Sequence, residues 1–346
     1  MNPGGAEMMA VNIANALAER GVNSHICATR LEGNLKLKVN TNVGYLFLNK
    51  KRVLDMKAIK KLNSYLKKND IKLIHAHSTS YFIAFLVKLI NPKIKIIWHN
   101  HYGNNLNMSF EKATILKVVS FFFQEIISVN ENLHIWSCKN LNSKKNSYIP
   151  NFASLDIKVN QTKELKGVNQ HRIICLANLR EEKDHLNLLR AFKIVQQRHN
   201  EWTLHLVGAD FNDEYSEKIK NFIKSNNLGN HVFLYGSCSD VEFILKQSTI
   251  GVLSSKSEGL PVSLLEYGLS KLPVVVTNVG DCDKVVVNND SGLVVKPKNE
   301  FQLAEAIDFL IKNNNKRIQF GTKLNKRIIN NYSKNNYINK LISIYN

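Results

Sequence analysis

From residue 24 almost to its end, the chain alternates short β-branched runs with segments of helical period. Runs at 24–29, 43–48, 72–76, 95–98 and 125–129 form a first set. Runs at 172–177, 203–207, 232–235, 249–254, 273–277 and 292–295 form a second. Several are apolar throughout, which is what a strand needs when both faces of its parallel sheet are covered. Helical patterns lie between them, at 7–20, 56–68, 185–197 and 301–312. Strand and helix taking turns in this way predict doubly wound α/β sheets.

A length of 346 residues is too long for one ordinary core and suits two. The two sets of strands part at Pro150-Asn151-Phe152, followed by a polar stretch over 156–170. The expected layout is therefore an N-terminal Rossmann-like domain over 1–152 and a linker over 153–170. A second Rossmann-like domain follows over 171–320, then a helical segment over 321–346. Two such domains facing each other form a cleft at the carboxyl ends of their strands, where doubly wound sheets bind ligands.

Charge narrows the partners. Lys and Arg number 47 against 28 Asp and Glu, a formal net charge of +19. Residues 1–153 hold 21 of these basic groups against 8 acidic ones, so the N-terminal half is the positive one. Such a field attracts anionic membrane surfaces, nucleic acid or acidic small molecules. Nucleic acid is not expected, because aromatics are not interleaved with basic residues and Arg is scarce. The five cysteines, Cys27, Cys138, Cys175, Cys238 and Cys282, are odd in number and far apart. They make neither a zinc motif nor a disulfide framework, and fit a reducing, cytoplasmic setting. The longest apolar stretches, 81–90 and 115–127, are interrupted by charge and fall short of the roughly 20 residues a spanning helix needs. A soluble chain, or one lying on the inner face of the cell membrane, is expected.

Chemistry concentrates in the window Ser257-Glu258-Gly259-Leu260-Pro261-Val262-Ser263-Leu264-Leu265-Glu266, which leaves a strand and enters a helix. Gly259 lets a backbone come close to a ligand, and Pro261 suits a first helical turn. Free amides and the positive dipole end at a helix start hold a diphosphate. Glu258 and Glu266 do not suit phosphate; carboxylates accept from hydroxyl groups. A polyol carrying a diphosphate satisfies both halves of the site, which points to a sugar nucleotide.

The same window, continued by Gly268-Leu269-Ser270-Lys271-Leu272-Pro273-Val274-Val275, resembles the donor-site motif of family 4 glycosyltransferases of the GT-B fold. That resemblance implies that Glu266 holds the ribose hydroxyls, that Glu258 contacts the transferred sugar, and that Gly259, Leu260, Pro261 and Val262 line the donor. Ala177-Asn178-Leu179-Arg180-Glu181-Glu182-Lys183-Asp184-His185 resembles the segment that gives the family an Arg and a Lys for the diphosphate. Lys183 maps directly; the usual Arg position is Asn178 here, with Arg180 as its replacement two residues on. Fixed cations can stabilise a leaving diphosphate without a metal.

Asn2-Pro3-Gly4-Gly5-Ala6-Glu7 resembles the family's glycine-rich turn, where Gly4 and Gly5 would face the donor diphosphate and the acceptor. The hydrophobic strand expected before it is missing, so a first strand of the N-terminal domain is expected to be absent. His75, His77, His99 and His101 sit at the ends of two expected strands. The resemblance implies a His contact to the transferred sugar near the reacting carbon, from His99 or from His101, which precedes Tyr102-Gly103. A His-x-His pair also suits a metal, but no third ligand lies at motif spacing, and no metal is expected. Asp281-Cys282-Asp283 reads as part of a loop.

Further likenesses are Tyr148-Ile149-Pro150-Asn151, Leu206-Val207-Gly208 and Ser291-Gly292-Leu293-Val294-Val295. In the family the terminal helix crosses back onto the N-terminal domain. The resemblance as a whole implies a metal-independent, retaining, hexosyl-type transferase without a cofactor. Its donor would be a UDP- or GDP-type sugar and its acceptor a glycan or lipid-linked, in bacterial surface polysaccharide synthesis. Lys57, Lys60, Lys61, Lys67 and Lys68 share one helical segment and could meet anionic lipid. Two alternatives remain on the residues alone: a sugar-nucleotide epimerase of the same architecture, and a degenerate nucleotide-binding chain without catalysis.

Overall fold

The computed structural model describes residues 4–101, 110–155 and 163–346. Asn2-Pro3, Tyr102-Gly103 and residues 156–162 of the expected linker lie outside them. The chain divides into two compact units. The first takes Met1–Asn151 together with Lys334–Asn346, and the second takes Phe152–Ser333.

In the first unit, β1 (His25–Ala28) and β2 (Gly44–Phe47) pair in parallel. Strands β3 (Leu73–His77), β4 (Lys95–Asn100), β5 (Glu125–Ser128) and β6 (Asn146–Tyr148) form a separate parallel sheet in that order. The second unit holds β7 (Arg172–Leu176), β8 (Thr203–Val207), β9 (Val232–Leu234), β10 (Ile250–Leu253), β11 (Val274–Thr277) and β12 (Leu293–Val295). All six are parallel, in the order β12-β11-β10-β7-β8-β9. Its first strand therefore stands in the middle, and the direction of winding reverses between β7 and β10. That is the topological switch point of a doubly wound sheet. In the first unit, no strand among the described residues joins β1–β2 to β3–β6, at the place where the second unit has β7.

The apolar runs are explained by burial on both sides. Ile173 and Cys175 of β7 face a core with Leu188, Phe192, Leu303 and Ile307, while Ile174 faces another with Leu264, Tyr267 and Val285. Each fully buried side chain of this kind is worth about 1.5–3 kcal/mol over exposure, so any polar residue in such a strand is costly. In the first unit Trp98, Phe123, Ile96 and Ile126 do the same job, with the Trp98 indole N–H donating to the Ser78 carbonyl at 2.8 Å.

The chain returns to the first unit at Lys334. Helix Asn314–Asn331 stays on the second, its Leu324 and Ile328 buried with Leu264 and Leu265. Helix Lys334–Tyr345 docks on helix Gly5–Glu19: Arg20 donates to Asn339 and Asn335, at 3.2 and 3.0 Å, and Lys334 pairs with Glu19 at 2.6 Å. Residues 163–170 are not a free spacer, since Leu165 is buried in the second core and its amide donates to Gln247 at 3.0 Å. Among the described residues, no helix is long and apolar enough to cross a membrane.

Candidate active site

Three loops leave the carboxyl ends of β7, β10 and β11, and hydrogen bonds to backbone carbonyls tie them into one assembly. The first carries Arg180 and a short turn at Glu181–Lys183. The second runs from Ser254 to Pro261 and enters helix Val262–Leu269. The Ser254 hydroxyl donates to the Lys183 carbonyl at 3.0 Å, and the Lys256 amide to the Glu182 carbonyl at 2.8 Å. The third loop closes on the second. The Thr277 hydroxyl donates to the Ser255 carbonyl at 2.7 Å, and the Asp281 amide to the Gly259 carbonyl at 3.0 Å. Gly280, at φ +58, makes this closure possible: a Cβ there would collide with the carbonyl oxygens of Glu258 and Gly259.

Within this assembly Lys183 and Glu258 meet. The ammonium donates to Glu258 Oε1 at 2.6 Å, and the Ser255 hydroxyl donates to the same oxygen at 2.6 Å. The carboxylate is 7% exposed and the lysine side chain 23%, so this is a buried ion pair rather than a surface one. Burial alone would lower the Lys183 ammonium, but the charge and hydrogen bond of Glu258 outweigh it, and its pKa is raised. The lysine stays cationic at neutral pH. Nearby Cys282 is held as a thiol by burial and then by the Glu258 charge, its pKa well above the ordinary value, which removes it as a nucleophile.

Pro261 occupies the N-cap of the helix, with φ −70 and ψ 123, one position before the first turn expected for it. The helix start carries no capping side-chain hydrogen bond. Glu266, the fifth residue of that helix, is buried. Arg180 goes elsewhere. Its guanidinium stacks on Phe211 at 5.0 Å and lies 3.9 Å from Glu182, in an open depression of about 700 Å³ shared with Tyr215 and Lys256. Asn178, in the position where the family has Arg, accepts from the Ala209 amide at 2.8 Å and ties the β7 loop to the β8 loop. Asp281 sits at the N-cap position of a one-turn helix, Cys282–Val285, and pairs with Lys284 at 3.3 Å, so the loop expected over 281–283 is in part helical.

In the first unit, Gly4 is the extended N-cap of helix Gly5–Glu19, and its carbonyl accepts from Met8 at 2.8 Å. His77 stands opposite His99 in the β3–β4 register, which puts His75, His77, His99 and His101 on one face of the sheet. His99 is fully buried, whereas His101 is partly exposed. His101 Nε2 lies 2.9 Å from His77 Nδ1, and His75 Nδ1 lies 2.6 Å from the Tyr345 hydroxyl. Burial lowers all four imidazoles, His77 to about 4, so the cluster is neutral at physiological pH.

Ser255 and Gly280 escaped the sequence reading. Ser255 carries a local signal, a hydroxyl three residues before Glu258; the constraint on Gly280 exists only once β11 is beside β10.

Residues 156–331 match the family described as Glycosyl transferases group 1, and residues 3–156 match Glycosyltransferase Family 4. The chain belongs to the group 1 glycosyltransferases. This glycosyltransferase is 25% identical over 328 residues to an uncharacterized glycosyltransferase of Haemophilus influenzae, covering 92% of this chain and 90% of the relative. It is 24% identical over 301 residues to the capsular polysaccharide biosynthesis glycosyltransferase CapH of Staphylococcus aureus, covering 82% and 81%. A third relative is the UDP-Gal:alpha-D-GlcNAc-diphosphoundecaprenol alpha-1,3-galactosyltransferase of Escherichia coli, 25% identical over 263 residues, covering 70% and 67%. Among solved structures, Anabaena HepE in complex with UDP-glucose superposes with a TM-score of 0.84 at 16% identity, covering 99% of this chain and 96% of that one. S. aureus TarM, crystallised with UDP, gives 0.79 at 15%, covering 100% and 97%. The fold is therefore GT-B, with parallel α/β sheets.

Proposed function

We propose that this glycosyltransferase moves a hexose from a UDP- or GDP-type sugar nucleotide to a glycan or lipid-linked acceptor, with retention of configuration, in the synthesis of a bacterial surface polysaccharide. The observation that carries the reading is the buried Lys183–Glu258 pair beside the start of helix Val262–Leu269. In this reading the helix amides and Lys183 take the diphosphate, with Arg180 turning in from its depression. Glu266 accepts from the ribose hydroxyls and Glu258 from hydroxyls of the transferred sugar. On the family resemblance, His101, the more exposed of the two expected histidines, is the one for that sugar, and Gly4 and Gly5 are the glycines for the diphosphate and acceptor. Fixed cations replace a metal at the diphosphate, and the leaving diphosphate oxygen takes the proton of the incoming hydroxyl. HepE and TarM, whose structures hold UDP or a UDP-sugar, support a nucleotide-sugar donor.

The deciding experiment is thermal unfolding with UDP, GDP, ADP, CMP or NAD, alongside Glu266→Ala. A nucleotide at about 100 times its Kd adds about 2.7 kcal/mol. Selective stabilisation by UDP or GDP that is lost in the variant is the expected result; no response in a folded chain removes the donor reading. Incubating the donor without acceptor separates an epimerase, which would convert it alone. The anomeric configuration of the transfer product, read by NMR, tests retention.

A lipid-linked acceptor fits the exposed face of helix Met56–Lys68. Lys57, Lys60, Lys61, Lys67 and Lys68 are all exposed there, beside exposed Val53, Leu54 and Met56. Basic side chains with apolar neighbours are the composition of a membrane-surface helix. Co-sedimentation should favour anionic over neutral vesicles; equal partitioning onto both would remove the electrostatic contact.

A further inference from the structure

We infer that His75, His77 and His99 form a binding site for a single transition-metal ion of the zinc class, inside the first unit and next to His101. The three come from neighbouring parallel strands, and one candidate ligand nitrogen from each lies within 4.8 Å of the others. The cluster contains imidazole only. Neutral nitrogen donors suit zinc, copper or nickel, whereas magnesium and calcium require oxygen.

The hydrogen bonds around the cluster are those a metal site needs. A ligating histidine characteristically donates its second ring N–H to a fixed acceptor, which sets the tautomer and aims the other nitrogen at the ion. His75 Nδ1 is 2.6 Å from the Tyr345 oxygen, and His77 Nδ1 is 2.9 Å from His101 Nε2. With Nδ1 protonated in both, each Nε2 keeps a lone pair that a metal can take. His75 Nε2 and both ring nitrogens of His99 are buried and have no hydrogen-bond partner. An imidazole with both nitrogens unpartnered is costly; a bond from one of them to a metal removes part of that cost. Zinc bonds nitrogen at about 2.0–2.1 Å in tetrahedral sites, so on binding the three nitrogens close in from their present spacing around the ion. Three protein ligands leave a fourth position for water or an oxygen of a bound molecule.

This assignment takes His99 out of the sugar site and leaves the partly exposed His101 for that role, with His101 and Tyr345 positioning the ligands. It is compatible with a diphosphate held by Lys183 and Arg180, because an imidazole-bound ion is a different site from an oxygen-bound magnesium or manganese.

The test uses the full chain with any polyhistidine tag removed, stripped with EDTA, reloaded with zinc and passed through gel filtration. Zinc is then measured by mass spectrometry, and its affinity by competition with a chromophoric chelator. The expected result is about one equivalent per chain, lost in His75→Gln/His99→Gln and kept in His25→Gln. Tyr345→Phe and His101→Gln should each weaken binding by about 10- to 100-fold without abolishing it. A folded wild-type chain that takes up no zinc overturns the proposal, and so does a double variant that keeps it. Should the double variant fail to fold, cobalt substitution of the wild type decides: intense visible bands of a tetrahedral site support the assignment, and their absence overturns it.

Discussion

Replacing Lys183 with Met removes the cation from a carboxylate that is 7% exposed. Breaking a buried pair from one side costs about 3–5 kcal/mol when nothing else serves the stranded charge. Here Ser255 still donates to Glu258 at 2.6 Å, and a hydrogen bond to a charged group is worth about 1.5–3 kcal/mol. The expected loss for Lys183→Met is therefore near the lower end, about 3 kcal/mol. Glu258→Gln is milder, about 1–2 kcal/mol, because the amide oxygen still accepts and water reaches a lysine that is 23% exposed. The double variant leaves neither charge behind, so it should be less destabilised than the sum by about 1–2 kcal/mol. Urea unfolding followed by circular dichroism and fluorescence measures this, with separate transitions fitted if the two units unfold apart. The pH dependence has a definite sign. The folded pKa of Lys183 is raised, so the coupling is fully present below the ordinary lysine value near 10.4 and fades only as pH climbs through the higher folded one. Single effects that add to within about 0.5 kcal/mol, or a coupling that collapses in the neutral range, would refute the buried pair.

Gly280→Ala should cost about 1–2 kcal/mol from its left-handed backbone alone. The new methyl would collide with the Glu258 and Gly259 carbonyl oxygens, and if they yield by about 1 Å turnover falls by about 100-fold; an unchanged rate and urea midpoint would contradict the packing. Asn178→Ala removes the acceptor of the Ala209 amide and should lower stability by about 1 kcal/mol in the same urea assay. Burial holds His185 down to about 4, and burial with the Arg172 charge holds His205 to about 3. Both bind protons more readily unfolded, so stability is highest above the unfolded value near 6.5 and is lost as pH falls from there through the folded values, by about 2 kcal/mol for each imidazole between pH 7 and pH 5. A urea midpoint that holds steady over that interval would show that these rings are not kept neutral.

The alternation of strands and helices was legible because strands covered on both faces have little room for polar residues, and β7, β10 and β11 leave that mark most clearly. Strand β6 left none: Asn146–Tyr148 contains no apolar run and pairs with β5 at the end of its sheet. The point where the chain returns to the first unit was legible only approximately: the helical segment expected over 321–346 begins inside helix Asn314–Asn331, and the break before helix Lys334–Tyr345 has neither Gly nor Pro, only Tyr332-Ser333. In the site, Lys183 and Glu258 were each visible in their own motif, but their contact spans 75 residues and depends on β10 lying beside β7.

Arg180 shows the same limit from the other side. Its charge and position suggest a phosphate ligand, yet Phe211, delivered by the loop after β8, gives the guanidinium a different partner. The histidines are the sharpest case. Two His-x-His pairs read singly offer two ligands each, and a search for a third at motif spacing finds none. Once β3 and β4 are neighbours in register, His77 faces His99 and the third ligand comes from the adjacent strand. Periodicity tells which face of an element a residue occupies, whereas chemistry in a parallel sheet depends on which strands are adjacent. That adjacency is set by the helical crossovers between strands, so sites assembled across neighbouring strands are the ones a linear motif search passes over.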